Sequence, residues 1–281
     1  MPYSRCHCPF TEVGFMRFSL SELMVCAASR IFDDEGEVLV TGIGLLPRLA
    51  ASLAMGSSNT DILMTDSQSF VLSQPNPVSG LESHAGQANE NWMGFARIFD
   101  NVWSGRRHAL VGPSQIDRFG QSNISALGGT HQAPKVQLLG VRGFPGNSIS
   151  HANSFFVPSH SRRVFVEGEC DVVCSVGYNN DRLPRGYSFS DIDVRTVVTN
   201  LCVLDFNGPN KQMRLVSLHP GVGLAEVQDN TGFDLAVPDD IPETSAPSDR
   251  QLDLLNELDP LNARAKQLKN NPPGIRQAQE A

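Results

Sequence analysis

The chain has 281 residues, 40% of them hydrophobic, and a formal net charge of −8. That length supports one large α/β domain or two small ones, and the acidic balance argues against nucleic acid as a partner. No apolar run approaches the roughly 20 residues of a membrane span, and the N-terminus lacks a basic-then-apolar leader, so no membrane partner is expected and the cytoplasm is the expected location. Six cysteines (Cys6, Cys8, Cys26, Cys170, Cys174 and Cys202) are too scattered for a disulfide framework. The spacing of Cys6-His7-Cys8 is too short for an ordinary zinc knuckle, so no metal is expected. Cys170 and Cys174 are expected as small buried residues.

Residues 1–18 are irregular and polar, an N-terminal extension. Ser19 or Ser21 can cap a helix running to Phe32, with Glu22 suited to its first turn, and Asp33-Asp34-Glu35-Gly36 stops it. A short strand over 37–44 ends in glycines, and residues 45–54 carry helical periodicity with Pro47 tolerated in the first turn. The apolar run Ile62 to Met64 is a further strand, so the order is β-α-β and a parallel sheet with helices outside follows. Residues 71–90 form a long polar loop and 92–105 a helical patch. Strands are predicted over 107–112, 135–140, 163–168, 195–200, 201–206 and 213–218, then a cap-and-helix unit over 219–233. From 237 the chain turns Pro-rich and acidic, a linker on the surface, followed by amphipathic turns over 251–270 interrupted by Pro260 and a disordered end. The division is 1–18, 19–236 and 237–281.

Asp66 stands at the end of the 62–64 strand, where a carboxylate serves as nucleophile, general base, helix cap or loop residue. Gly42-Ile43-Gly44 suggests a dinucleotide fingerprint, but Pro47 replaces the third glycine, which favours a plain β–α turn. In 139–156 a strand runs into Gly140, Gly143, Pro145, Gly146 and Asn147. Such a loop can bring backbone N–H groups to a developing oxyanion or form a turn without function. His151 is a base, a ligand or a structural residue. Asp117, Arg118, Gln121 and Asn123 occupy a polar loop that either meets substrate or forms a surface turn. Gly105-Arg106-Arg107-His108 is a small basic spot, expected as a solvated helix end or a site for an anion.

In order, T-D-S at 65–67, GRRH at 105–108, QIDRFGQSNIS at 115–125, GVRGFPGN at 140–147, RVFVE at 163–167, TNLCVLDF at 199–206 and SLHPGVGLAEVQDNTGF at 217–233 form a specific series. It resembles the β subunit of class I (glutaconate-type) coenzyme A transferases over about 19–235. WMGF at 92–95, WSGRRH and VRGFPGN make it similar to a divergent branch, the β subunit of the bacterial CoA hydrolases that cleave steroid rings.

The resemblance implies an α/β class, the open three-layer α/β/α CoA-transferase fold with a mostly parallel sheet. It implies a homologous α subunit in an α2β2 heterotetramer, a shared active site, and an acyl-CoA substrate, with coenzyme A present as part of the substrate and no permanently bound cofactor. Transferases keep Glu-Ser-Gly where this chain has Asp66-Ser67-Gln68. The shorter side chain speaks against a glutamyl-type covalent intermediate. The hydrolase branch needs a base for water, thought to be an α-subunit glutamate, and donors for oxyanions. By this resemblance Gly143, Gly146, Asn147 and Asn123 bind substrate and Asp66 orients it, with Arg142, His151 and Gln68 as further candidates. The alternatives are a true transferase with Asp66 as nucleophile and a non-catalytic scaffold subunit.

Overall fold

The computed structural model describes residues 18–65, 69–80 and 89–271. The helices are α1 (Leu20–Ser29), α2 (Leu45–Ser57), α3 (Gly94–Trp103), α4 (Phe144–Ser150), α5 (Leu224–Asp229) and α6 (Asp249–Leu258). The strands are β1 (Leu39–Gly42), β2 (Leu63–Thr65), β3 (Phe70–Leu72), β4 (Asn89–Trp92), β5 (Arg107–Val111), β6 (Gln115–Ile116), β7 (Ser122–Asn123), β8 (Ala126–Gly129), β9 (Pro134–Gln137), β10 (Ala152–Val157), β11 (Val194–Thr199), β12 (Cys202–Asp205) and β13 (Arg214–Leu218). Nine strands form one sheet in the order β13-β12-β11-β10-β5-β1-β2-β3-β4. The central five, β11-β10-β5-β1-β2, are parallel, and antiparallel strands extend both edges.

Alternation along the strands builds a layer on each face. Val40, Met64, Leu110, Phe156 and Val198 point to one face, where they join α1, α2 and Leu255 and Leu258 of α6. Ala109, Val111, Phe155, Val157 and Val197 point to the other, where Phe144 of α4, Phe165, Tyr178 and Val227 of α5 cover them. The result is an α/β fold of three layers. On the second face, the β1–β2 end carries Thr41 and Thr65 in place of apolar residues. Ser19 caps α1 in a reciprocal box with Glu22, as the sequence leads one to expect.

Several expectations need correction. The 163–168 segment is not a sheet strand; it makes one bridge, Ile116 to Phe165, because Phe165 is buried in the second-face layer and stacked on His160. The 71–90 loop contains the end of β3 and the start of β4, with 81–88 outside the described residues. Only Leu224–Asp229 of the 219–233 unit is helical. The 237–250 linker is in part a strap along β13, where Glu243 bridges Leu218 and the buried Thr244 bonds Ser217 Oγ at 2.7 Å. An uncovered edge strand is a template for unwanted pairing, and the strap closes it. The tail from α6 to Leu268 packs into the first-face core. The 1–17 part of the N-terminal extension and the 272–281 end lie outside the described residues.

Candidate active site

In open α/β sheets, ligands gather beyond the C-terminal ends of the parallel strands. Here β1 and β2 end side by side, and a cavity of about 410 Å³ opens there, walled by Thr41, Gly42, Gly44, Arg48, Thr65 and Val78. A β-carbon on Gly42 would lie 2.6 Å from the Pro47 carbonyl, so glycine is what lets α2 begin this close to the strand end. The Gly-x-Gly is thus a tight β–α turn. Beyond Thr65 the chain enters Asp66, Ser67 and Gln68, which lie outside the described residues. Ser69, which follows, is buried at φ 70 with a hydroxyl that finds no hydrogen-bond partner among the described residues. A left-handed serine beside a strand end is the kind of strain that functional turns hold.

A polar chain runs under this cavity. The Thr41 and Thr65 hydroxyls are 2.8 Å apart. Arg107 Nε donates to Thr41 Oγ1 at 3.1 Å, and Arg107 Nη1 donates to His151 Nε2 at 3.2 Å. His151 Nδ1 lies 2.8 Å from the Ala152 carbonyl. A carbonyl only accepts and a guanidinium only donates, so Nδ1 carries the proton, Nε2 carries a lone pair, and the imidazole is neutral. Burial first, and then the charges of Arg107 and His108, push the His151 pKa down to about 4. His151 is therefore a hydrogen-bond acceptor that orients Arg107.

The GRRH spot is not a solvated helix end. Arg107 and His108 open the buried strand β5, where pairing with β1 on one side and β10 on the other takes both side chains out of water. Burial lowers the Arg107 pKa to about 10.

The glycine-rich segment is also not an open loop. Gly143 precedes α4 at φ −82, and Gly146 and Asn147 lie within that helix. Phe144 N and Gly146 N donate to Val141 O and Gly143 O, so these N–H groups are used in turns. A β-carbon on Gly146 would meet the Trp103 ring at 3.1 Å, and one on Gly143 would meet Phe99 at 3.7 Å. The glycines make room for the aromatic side chains of α3. Asn147 is buried, and its side-chain amide makes no hydrogen bond among the described residues. Arg142 is exposed, at φ 50.

Asn123 is spent within the chain. Its Nδ2 donates to Gln115 Oε1 and the Ala126 carbonyl, and its Oδ1 accepts from Ser125 N. Asp117 is equally internal: it is buried in the β6–β7 turn and accepts from Phe119 N and Gln121 N. Burial pushes its carboxyl up to about 7 against those two N–H bonds.

Sequence reasoning missed Thr41, Thr65 and Arg107 as a unit, because Thr41 and Arg107 are 66 positions apart. The larger cavity, about 650 Å³, lies where the end of α1 meets β11–β13. Two of its charged groups are committed, Arg195 to Asp193 and Asp205 to Arg214. Among the described residues no cluster of three His, Cys, Asp or Glu could hold a metal, and no helix is long and apolar enough to cross a membrane.

The fold is shared with coenzyme A transferases. The chain superposes on glutaconate coenzyme A-transferase from Acidaminococcus fermentans with a TM-score of 0.75 at 24% identity, over 90% of this chain and 99% of that one. It superposes on IpdAB of Rhodococcus jostii RHA1 with a TM-score of 0.82 at 38% identity, over 92% of this chain and 100% of that one. The cholesterol ring-cleaving hydrolase IpdB subunit of Mycobacterium tuberculosis (strain ATCC 25618 / H37Rv) is 39% identical over 251 residues, 89% of this chain and 98% of that relative. No protein-family model matches. The chain belongs to the family of cholesterol ring-cleaving hydrolase IpdB subunits, within the CoA-transferase fold. The curated relative is named as a subunit, and the solved one as IpdAB.

Proposed function

We propose that this chain is the β subunit of a hydrolase that opens a carbon ring of a steroid-derived cyclic β-oxo acyl-CoA. The observation that carries this is 39% identity to a ring-cleaving hydrolase subunit across 89% of the chain. Among the described residues, the cavity at the ends of β1 and β2 is lined by Ile43, Leu45 and Val78 together with the threonines Thr41 and Thr65, two glycines and Arg48, with no carboxylate and no imidazole on its wall. A base for water is then to be sought on the α subunit or at Asp66. In the reaction, the base takes a proton from water as its oxygen adds to the ring carbonyl. The ring C–C bond then breaks, its electrons pass into an enolate conjugated with the thioester, and that carbon is protonated. Water is consumed, and coenzyme A enters and leaves as part of the substrate.

Within this reading Asn147 is the donor left for a developing oxyanion, supported by its unpartnered amide beside the Arg107 network. Asp66 and Gln68 follow Thr65 directly in the chain and are proposed as orienting groups. Phe95, Phe99 and Trp103, spaced by four on α3 and each more than half exposed, form the face we assign to the α subunit in an α2β2 assembly in the cytoplasm.

The test is co-expression with the α subunit and assay of a cyclic β-oxo acyl-CoA with and without an acceptor acid. Ring-opened acyl-CoA should form without acceptor. Turnover that requires the acceptor would overturn the hydrolase reading in favour of CoA transfer.

A further inference from the structure

Two arginines are buried among the described residues, Arg264 and Arg107. Arg264 sits 2.9 Å from Glu22 and 3.3 Å from Asp259. Arg107 has two neutral partners, Thr41 and His151, and no acid among the described residues. A guanidinium withdrawn from water without a counter-charge is costly, so a fold that keeps one needs a reason for it. The group is also fixed: Nε is held by Thr41 and Nη1 by the lone pair of a neutral imidazole. Nη2 and the second N–H of Nη1 make no bond among the described residues. Thr41, which holds Nε, is part of the cavity wall, and Arg48 on the same wall has a buried Nε without a partner among the described residues. The positive charge of this corner is unanswered by any described residue.

We infer that Arg107 anchors a carboxylate subsite beside the crevice, filled by a carboxylate that no described residue supplies. A planar fork clamped along one edge offers its remaining N–H groups to the two oxygens of a carboxylate. A phosphate site of coenzyme A would gather several mobile cations at the surface, and Arg107 is neither mobile nor at the surface. Two sources share this chemistry: a carboxylate on the acyl part of the substrate and an acidic side chain of the α subunit. The first rests on the acyl-CoA reading above; the second does not.

The experiment uses the complex of this chain with its α subunit, as wild type, Arg107→Met and Arg107→Lys. Calorimetry compares glutaryl-CoA with valeryl-CoA, which share an acyl length and differ in a terminal carboxylate. If the substrate is the source, wild type should prefer glutaryl-CoA by about tenfold or more. Arg107→Met should bind the two alike, and Arg107→Lys should fall between. If the partner is the source, wild type shows no preference, and Arg107→Met should weaken subunit association by about tenfold or more with the circular dichroism of this chain unchanged. Should neither thioester bind, the acyl-CoA reading fails, and the inference is then judged on free glutarate and on assembly. Glutarate that raises the melting midpoint of wild type over matched chloride, but not that of Arg107→Met, supports it. Arg107→Met that leaves carboxylate discrimination, glutarate protection and assembly as in wild type overturns it.

Discussion

Arg107 and His108 are neighbours in sequence and opposite in role. Strand alternation sends Arg107 to the crevice face and His108 to the α1 face, where it lies 3.0 Å from Ser154 Oγ and edge-on to Phe32. Their basic character is legible in the sequence; their burial is not, because it depends on β10 closing over β5. Asp117 is a similar case, and it yields a pH test. Its folded-state pKa of about 7 lies above the ordinary value of 3.8. The folded chain therefore binds more protons between those values, and this contribution to stability falls as pH rises through that window. His151 and His160 act in the opposite sense. Burial depresses them to about 4 and about 3 from 6.5, so the stability that depends on their staying neutral is lost as pH falls below 6.5. Asp117→Asn keeps an acceptor for the Phe119 and Gln121 N–H groups and removes one opposing titration. Its stability at pH 8 should equal or exceed wild type by about 1–3 kcal/mol, and its decline from pH 6.5 to 4 should be steeper. Thermal melts across that range check both.

Among the elements, the antiparallel edge β11–β13 is where the most specific motifs of the sequence do their structural work. His160 Nδ1 meets Thr199 Oγ1 at 3.1 Å, and its Nε2 meets Thr231 Oγ1 at 3.0 Å. His219 joins the Thr199 carbonyl at 2.8 Å to Thr244 Oγ1 at 2.9 Å. The TN, HPGV and DNTGF motifs thus meet in one buried network, which fixes the turn between β11 and β12 and pins the strap. The motifs mark the family, but residues of three separated segments have to be brought together before their task is visible. Thr199→Val would leave the Leu201 and Cys202 N–H groups, both bonded to Thr199 Oγ1 at 3.0 Å, without their acceptor. It should cost about 2–4 kcal/mol and lower the melting midpoint by roughly 5–10 °C, read by calorimetry. Helix α4 shows the reverse problem. Gly, Pro and Asn in one run suggest a loop, yet Pro145 suits a first helical turn and Gly146 admits Trp103.

For the whole molecule, the face assigned above to the α subunit is exposed aromatic surface. Phe99 and Trp103 are 57% and 67% exposed on a helix whose other face holds the buried Val102. A Phe99→Glu, Trp103→Glu double variant should keep its own circular dichroism and lose co-purification with the α subunit. Unchanged co-purification would place that interface elsewhere. The sequence by itself determined the β-α-β start, the capped first helix, four of the five central strands and the class of fold, because local periodicity and capping are written within a dozen residues; β10, behind the Gly- and Asn-rich run, was not legible there. Its ordered motifs also carried the family. Tertiary structure alone decided which candidates share a site. It withdrew Asn123 and Asp117 into internal turns and gave the glycines of 143–147 to aromatic packing. It also joined Thr41, Thr65, Arg107 and His151 across four strands or strand ends. Such a chain depends on strand order and register, and neither is encoded in the spacing of residues along the sequence.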